Sequence, residues 1–186
     1  MWRKLTCTLT NEVGWTAALL VAQLDLADVV LLDAAHDAAS DLAAAGAVLG
    51  FAPRVTAGGW EDAAGSDVVV LSALGEDAGR ELRRRCSGAV VIVATATPAD
   101  DVARLLDETL LPRARLVGVP GTGPYERAAR AVALADAVLR DRGDREHRGA
   151  VLCRGDDDDV QERSVRVGAA GVVEIVQPAA YEPGPR

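Results

Sequence analysis

The segment "LTNEVGWTAALLVAQLDLADVVLLD" (Leu9–Asp33) decides the fold of this chain. Its residues predict the end of a β-strand, a tight turn, a helix and a second buried strand, which together make the first half of a βαβ unit. A dinucleotide-binding turn of this kind carries glycine at three positions, which fall here on Leu9, Asn11 and Gly14. The first glycine makes the tight turn, the second lets the backbone approach the pyrophosphate, and the third lets the helix pack closely on the strand. Since only Gly14 is glycine, the sequence retains only the third function.

The residues beside this turn oppose an anionic ligand. Glu12 brings negative charge to the place where a diphosphate would sit at the helix N-terminus. Trp15 is large enough to fill that space itself if it points inward. Asp33 follows Gly14 by 19 residues, the position of an acid that binds an adenosine ribose. Two interpretations stay open: Asp33 ends a strand in a unit that has lost its ligand, or the unit still binds a dinucleotide.

Short apolar runs alternate with helical patterns as far as Pro120. The runs "DVVVLS" and "AVVIVATA" are apolar on both faces, which is typical of central parallel strands covered on both sides. The predicted strands are Leu5–Thr10, Asp28–Asp33, Arg54–Ala57, Asp67–Ser72, Ala89–Ala94 and Arg115–Val119. The predicted helices are Val13–Leu24, His36–Ala45, Glu76–Cys86 and Pro98–Thr109. This alternation indicates an α/β fold with a Rossmann-like, doubly wound parallel sheet.

The pattern changes after Pro120. A long amphipathic helix at Tyr125–Arg140 is followed by strands without helices between them, at Ala150–Cys153, Ser164–Val167 and Gly171–Val176. Such strands cannot continue a parallel order, so we expect a short antiparallel C-terminal ribbon. The predicted organisation is a dinucleotide-binding-type domain at 1–123, a helix and ribbon at 124–178, and a disordered tail at 179–186.

Composition excludes several classes of protein. The chain has 186 residues, 49% of them hydrophobic, which is enough for one compact core. It shows neither a signal peptide nor a membrane-spanning run, and its net charge of −8 argues against nucleic acid and anionic membranes as partners. Cys7, Cys86 and Cys153 lie far apart without a metal-binding spacing, as expected in a reducing cytoplasm. The single lysine, Lys4, and the abundant alanine indicate a GC-rich bacterial genome.

Several segments resemble the lactate/malate dehydrogenase family. They are "DLADVVLLD", "GSDVVV", "GAVVIVATATPADDV", "LPRARLVGVPG", "AARAVALADAVLRD" and "SVRVGAAGVVEIV", and they extend from Leu5 to about Val176. The resemblance implies that 124–178 is the remnant of a dehydrogenase C-terminal region. It places the remnant of a cofactor site at Asn11, Gly14, Trp15, Asp33, Ser72 and Thr97.

The resemblance also implies catalytic parts that this sequence lacks. A mobile loop of the family closes over the substrate, but "LSALGEDAGRELRRR" runs almost directly from strand to helix. The family's cofactor-binding Asn falls on Thr97. After the position of Gly121 the family has an Asp and an Arg, then a Gly-Gly-His-Gly-Asp segment, which shuttle a proton and hold the substrate carboxylate. Here "VPGTG" leads straight into the late helix, and we interpret His36 and His147 as solvated surface residues.

The remaining candidates have structural interpretations. The run Asp156–Asp159 lacks the glycine turn and distal acid of a calcium loop, so we expect no metal there. Cys153 has no nearby base and is predicted to lie in the core. The loop "GVPGTGP" follows a strand at the edge where open α/β sheets bind ligands. Four arginines complement a helix C-terminus, with phosphate binding as the alternative: Arg80, Arg83, Arg84 and Arg85.

Three functional hypotheses follow. The first is a degenerate dehydrogenase-like protein, without hydroxy-acid dehydrogenase activity, that serves as a binding or assembly protein or as a partner subunit. The second is a repurposed small-molecule enzyme that uses the old crevice, and the third an NAD-dependent oxidoreductase with other catalytic residues. A crevice plugged by Trp15 and Leu9 would favour the first, and an open polar one the second. The second would use Asp100, Asp101, Tyr125 or Glu126.

We expect NAD to bind weakly or not at all, no other cofactor, and a dimer. In the family, helices equivalent to the first, second and late helices form much of a two-fold contact. The late helix offers an apolar stripe at helical spacing, formed by Ala128, Ala131, Val132, Ala135, Val138 and Leu139. This stripe predicts a homodimer, or a heterodimer with a dehydrogenase-like relative, unless it simply packs on the sheet.

Overall fold

The computed structural model describes residues 3–34, 37–144, 146–154 and 160–176. The strands are β1 (Lys4–Thr8), β2 (Asp28–Leu32), β3 (Val55–Gly58), β4 (Val68–Leu71), β5 (Val90–Val93), β6 (Leu116–Gly118), β7 (Glu146–Arg154), β8 (Val160–Gly168) and β9 (Gly171–Val176). The helices are α1 (Glu12–Gln23), α2 (Ala38–Leu49), α3 (Ala78–Arg85), α4 (Pro98–Thr109) and α5 (Pro124–Leu139), with a short 3-10 turn at Arg113–Arg115.

The strands form one sheet in the order β3-β2-β1-β4-β5-β6-β7-β8-β9. The first six are parallel, and β4 and β5 are buried along their whole length. They are buried on both sides because α1, α2 and α5 pack on one face of the sheet and α3 and α4 on the other. The predicted doubly wound Rossmann-like fold is therefore confirmed.

The order of the strands reverses between β1 and β4. The chain leaves β1 for β2 and β3 on one side, and then returns to β4 on the other side of β1. The carboxyl ends of β1 and β4 flank a crevice at this point, which is where open α/β sheets bind ligands. Only residues 72–77 separate β4 from α3, so the expected short connection after the fourth strand is present.

The C-terminal strands form the predicted antiparallel ribbon. β7 joins the parallel sheet through the pair Gly118 and Leu152, and β8 and β9 follow as antiparallel neighbours. The turn into β9 requires glycine, because Gly171 has a φ of 99° and a Cβ there would lie 2.0 Å from the Ala114 carbonyl oxygen. This contact fixes the ribbon against the segment before β6.

The apolar stripe on α5 lies inside the chain. All six of its residues are buried, with Ala131 and Ala135 at 0% exposure, and α5 packs closely against α1. The stripe is thus covered by the same chain, so any subunit contact must use another surface. In the described ranges, no helix combines the length and the apolar character needed to cross a bilayer.

Candidate functional site

Two cavities open at the carboxyl edge of the sheet. The Asp33 cavity, of about 530 Å³, is lined by residues that include Thr8, Asp33, Trp60, Glu61, Glu76 and Arg80. The Arg127 cavity, of about 550 Å³, is lined by residues that include Asn11, Glu12, Ser72, Thr97, Asp101 and Arg127. Ala73 lines both, so the two cavities meet beside the end of β4. The crevice is therefore open.

The Asn11 side chain occupies the N-terminus of α1. Its Oδ1 accepts hydrogen bonds from the backbone N–H groups of Val13 at 3.0 Å and Gly14 at 3.3 Å. The first N–H groups of a helix have no partner within the helix, and they are the groups that a bound anion would use. The Asn11 Nδ2 donates to the Ser72 carbonyl oxygen at 2.8 Å. One side chain thus satisfies the anion-binding donors and ties the turn to β4.

The backbone around this turn leaves little space. A Cβ on Gly14 would lie 2.0 Å from the Thr8 carbonyl oxygen, so α1 packs against β1 as predicted for this glycine. Leu9 is buried, and its N–H donates to the Leu32 carbonyl oxygen at 2.8 Å. The ladder between β1 and β2 therefore continues through the position where the dinucleotide-binding pattern has its first glycine.

Trp15 does not fill the crevice. Its side chain is 37% exposed, and it lines neither the Asp33 cavity nor the Arg127 cavity. The condition under which Trp15 would fill the crevice, an inward-pointing side chain, is therefore not met. Asp33 does lie at the edge where it was predicted, exposed just after β2 with a φ of 56°.

Ser72 and Thr8 form the floor between the two cavities. The Ser72 hydroxyl donates to the Thr8 carbonyl oxygen at 2.8 Å, and the Ser72 N–H donates to the Thr8 hydroxyl oxygen at the same distance. Both side chains are buried. The hydroxyl of Ser72, one of the residues predicted for the cofactor site, is thus engaged in holding β1 against β4.

Thr97 helps to hold a carboxylate at the start of α4. The hydroxyls of Thr95 and Thr97 donate to Oδ2 of Asp101, at 2.5 Å and 3.4 Å. The Asp101 Oδ1 receives no hydrogen bond from the described residues. Because Asp101 lies in the first turn of α4, the helix dipole stabilises its negative charge. The position that resembles a cofactor-binding Asn therefore supports an acid that faces the cavity.

Arg127 lies near the start of α5, where its half-buried side chain lines the same cavity. Its Nη1 donates to the Thr95 carbonyl oxygen at 2.7 Å, while its Nε is buried and has no partner in the described chain. Arg127 is missing from the residues predicted from sequence, which assigned no arginine to the segment after Gly121. The available signal was Pro124, because a proline at the first helical position puts the next residues at the carboxyl edge of the preceding strand.

Glu126 has a structural role in the loop before α5. Its Oε2 accepts from the Thr122 backbone N–H at 3.2 Å and the Thr122 hydroxyl at 3.1 Å, and its Oε1 pairs with Arg130. These contacts, the backbone N–H first, lower the pKa of Glu126. Glu126 and the exposed Tyr125 are absent from the lining of the Arg127 cavity, and so is Asp100. Of the four residues suggested for a repurposed enzyme, only Asp101 lines it.

The other predicted candidates lie elsewhere. His147 is half-buried in β7, not solvated as expected, and lines neither cavity. His36, the run Asp156–Asp159 and the tail 179–186 lie outside the described residues, as does the side chain of Cys153. Within the described ranges, no three potential metal ligands come together.

Two of the three thiols are buried, and two arginines of α3 form ion pairs. Cys7 and Cys86 are buried and unbridged, and burial raises the pKa of the Cys7 thiol to about 12. Arg80 pairs with Asp77, and Arg85 with Glu81, along α3. Both arginines line the Asp33 cavity, where these carboxylates balance their charge.

Solved structures that share this architecture include lactate and malate dehydrogenases. The Eimeria maxima lactate dehydrogenase with NADH and oxamate has a TM-score of 0.85 and 14% identity, over 96% of this chain and 87% of that one. The Cryptosporidium parvum malate dehydrogenase has a TM-score of 0.85 and 16% identity, over 96% of this chain and 91% of that one. The Aeropyrum pernix malate dehydrogenase has a TM-score of 0.83 and 17% identity, over 94% of this chain and 90% of that one. The chain therefore has the lactate/malate dehydrogenase fold.

Sequence comparison adds no family assignment. Neither a protein-family model nor a curated protein matches this chain.

Proposed function

We propose that this chain is a lactate/malate dehydrogenase-like protein that binds a small carboxylate without oxidising or reducing it. The observation that carries the proposal is the position of Arg127 in an open cavity at the reversal of strand order. One structure with the same fold holds oxamate, a small carboxylate, together with NADH.

The hydrogen bonding of Arg127 supports an anionic ligand. A buried donor without an acceptor costs about 1–3 kcal/mol, and the Nε of Arg127 is such a donor. No carboxylate of the described chain forms an ion pair with Arg127. A ligand carboxylate can accept two parallel hydrogen bonds from one guanidinium group, which would remove this cost.

The lining of the cavity argues against hydride transfer coupled to proton transfer by a histidine. Among the described lining residues there is no histidine to move a proton. Asn11 already caps the α1 donors that a diphosphate would need, and Glu12 adds negative charge beside them. The protein would thus keep a place for the carboxylate while binding NAD weakly or not at all.

Calorimetric titration with oxamate and L-malate tests this proposal. We expect both to bind, and Arg127→Gln to weaken binding at least about tenfold, because a charge-assisted hydrogen bond is lost. Arg130→Gln is the matched control, since Arg130 lies one turn away and pairs with Glu126. The proposal fails if neither carboxylate binds, or if the two variants weaken binding equally.

We also propose that a second subunit, either another copy or a dehydrogenase-like relative, packs on α2. This helix buries only Ala38, Leu42 and Gly46, while Val48 is 86% exposed and Leu49 is exposed beside it. Exposed apolar side chains favour burial against a second subunit. The small residues of α2 would let a helix of that subunit approach closely.

A further inference from the structure

The Arg127 cavity contains negative charge as well as positive. Glu12 and Asp101 line it together with Arg127, so its charged lining includes two carboxylates and one guanidinium group. Neither carboxylate forms an ion pair with a residue of the described chain. A ligand with negative charge alone would satisfy Arg127 and leave both carboxylates facing an anion.

Thr95 connects the two kinds of charge. Its carbonyl oxygen accepts from Arg127 Nη1 at 2.7 Å, and its hydroxyl donates to Asp101 Oδ2 at 2.5 Å. The guanidinium and the carboxylate therefore contact opposite ends of one small residue without pairing with each other. This separation suits a ligand that carries both charges a few atoms apart.

We infer that the ligand of the Arg127 cavity is an α-amino acid, whose carboxylate contacts Arg127 and whose ammonium group contacts Asp101 and Glu12. The inference rests on the proposed function, since it names the class of carboxylate that the cavity selects. The Asp101 Oδ1, which accepts no hydrogen bond from the described residues, is the acceptor for the ammonium group. The hydroxyls of Thr95 and Thr97 orient that carboxylate by holding its other oxygen.

The number of donors distinguishes an amino acid from a hydroxy acid. An ammonium group has three N–H donors and a positive charge, so it can serve two carboxylates at once. A hydroxyl has one donor and no charge, so at least one of the two carboxylates would lose its hydration without compensation. Both groups would form charge-assisted hydrogen bonds to a carboxylate, and only the ammonium group adds the attraction between opposite charges. We therefore expect an amino acid to bind at least about fivefold more tightly than the matching hydroxy acid.

Matched ligand pairs test this inference by calorimetry. L-aspartate and L-malate differ only in the ammonium and hydroxyl groups, and so do L-alanine and L-lactate. We expect the amino acid to bind more tightly in each pair. Equal affinities, or tighter binding of the hydroxy acids, would overturn the inference and leave carboxylate binding intact. If none of the four binds, the proposed function fails together with the inference.

Variants of the acids identify the source of the preference. Asp101→Asn should remove most of the preference for amino acids, whereas Asp100→Asn should keep it, because the exposed Asp100 does not line the cavity. Glu12→Gln changes an exposed residue in the first turn of α1 and should reduce the preference without unfolding the chain. If the preference survives in both Asp101→Asn and Glu12→Gln, the assigned ammonium contacts are wrong.

Discussion

Asn11 and Ser72 are joined by a hydrogen bond from the Asn11 side-chain amide to the Ser72 carbonyl oxygen, at 2.8 Å. Because Asn11 Oδ1 also caps the donors of α1, this one side chain, in the lining of the Arg127 cavity, takes up the helix donors that a bound diphosphate would use. The crevice is open, but its anion-binding donors are already satisfied.

We predict that Asn11 is the main obstacle to NADH binding. Asn11→Gly frees the α1 donors and should raise the affinity for NADH at least about tenfold, measured by calorimetry. Asn11→Asp is the control, because aspartate keeps a capping oxygen at the helix N-terminus and adds charge that repels phosphate. Its affinity for NADH should not rise. Micromolar binding of NADH to the unmodified chain would contradict this prediction.

We predict that oxaloacetate and pyruvate are not reduced with NADH. General acid–base catalysis typically contributes about 10²–10⁴-fold to a rate, and no described residue lining the Arg127 cavity is a histidine. The absorbance of NADH is the measurement, at saturating concentrations of both compounds. A turnover on the order of 1 s⁻¹, ordinary for an enzyme, would show that proton transfer uses another residue.

The pH dependence of stability should reveal the contribution of Glu126 to the folded state. Because its pKa is lowered in the folded chain, its contribution is fully present above the ordinary value of 4.5 and is lost as the pH falls through the lower folded-state value. Glu126→Gln should therefore lower Tm at neutral pH, and the difference should shrink in acid. Glu108→Gln, which removes only an ion pair with Arg104 on α4, should change Tm less. A difference for Glu126→Gln that stays constant into acid would refute this role.

Assembly can be separated from core packing with two arginine substitutions. We expect light scattering to give twice the 19.3 kDa chain mass, and Val48→Arg to give a folded monomer. Ala131→Arg should instead lower Tm strongly, because it places a charge at a position with 0% exposure. A monomer at tens of micromolar, with no copurifying subunit, would exclude a homodimer.

Much of the fold could be predicted because the decisive signals are local. Pro98 marks the start of α4, and the predicted bounds Pro98–Thr109 are those observed. α2 runs beyond the predicted Ala45 to Leu49, because Gly46 lies inside the helix and the glycine that ends it, with a φ of 83°, is Gly50. β7 likewise begins earlier than predicted, at Glu146, because its first residues are charged and show no apolar alternation.

The site was harder to predict because it depends on which way side chains point. Asn11, Asp33 and Thr97 follow strands directly, and a strand's end fixes the edge on which the next residues lie. The direction of Trp15 stayed open because apolar residues surround α1 on most sides, so the sequence does not fix the rotation of the helix about its axis. Pro124 places Arg127 near the carboxyl edge of the sheet, but the direction of its side chain depends on the path of the loop before α5.

The antiparallel ribbon also changes which strands are open to other chains. Because β7 covers the edge of β6, the outer strands of the described sheet are β3, with four residues, and β9, with six. Unpaired edges are templates for aggregation, and β9 presents Val173 and Ile175 exposed at alternating positions. Glu174 lies between them and pairs with Arg166 of β8 at 2.7 Å, and a charge within an apolar edge strand disfavours amyloid-like stacking. Loss of that one charge would leave β9 without a charged residue along its outer edge.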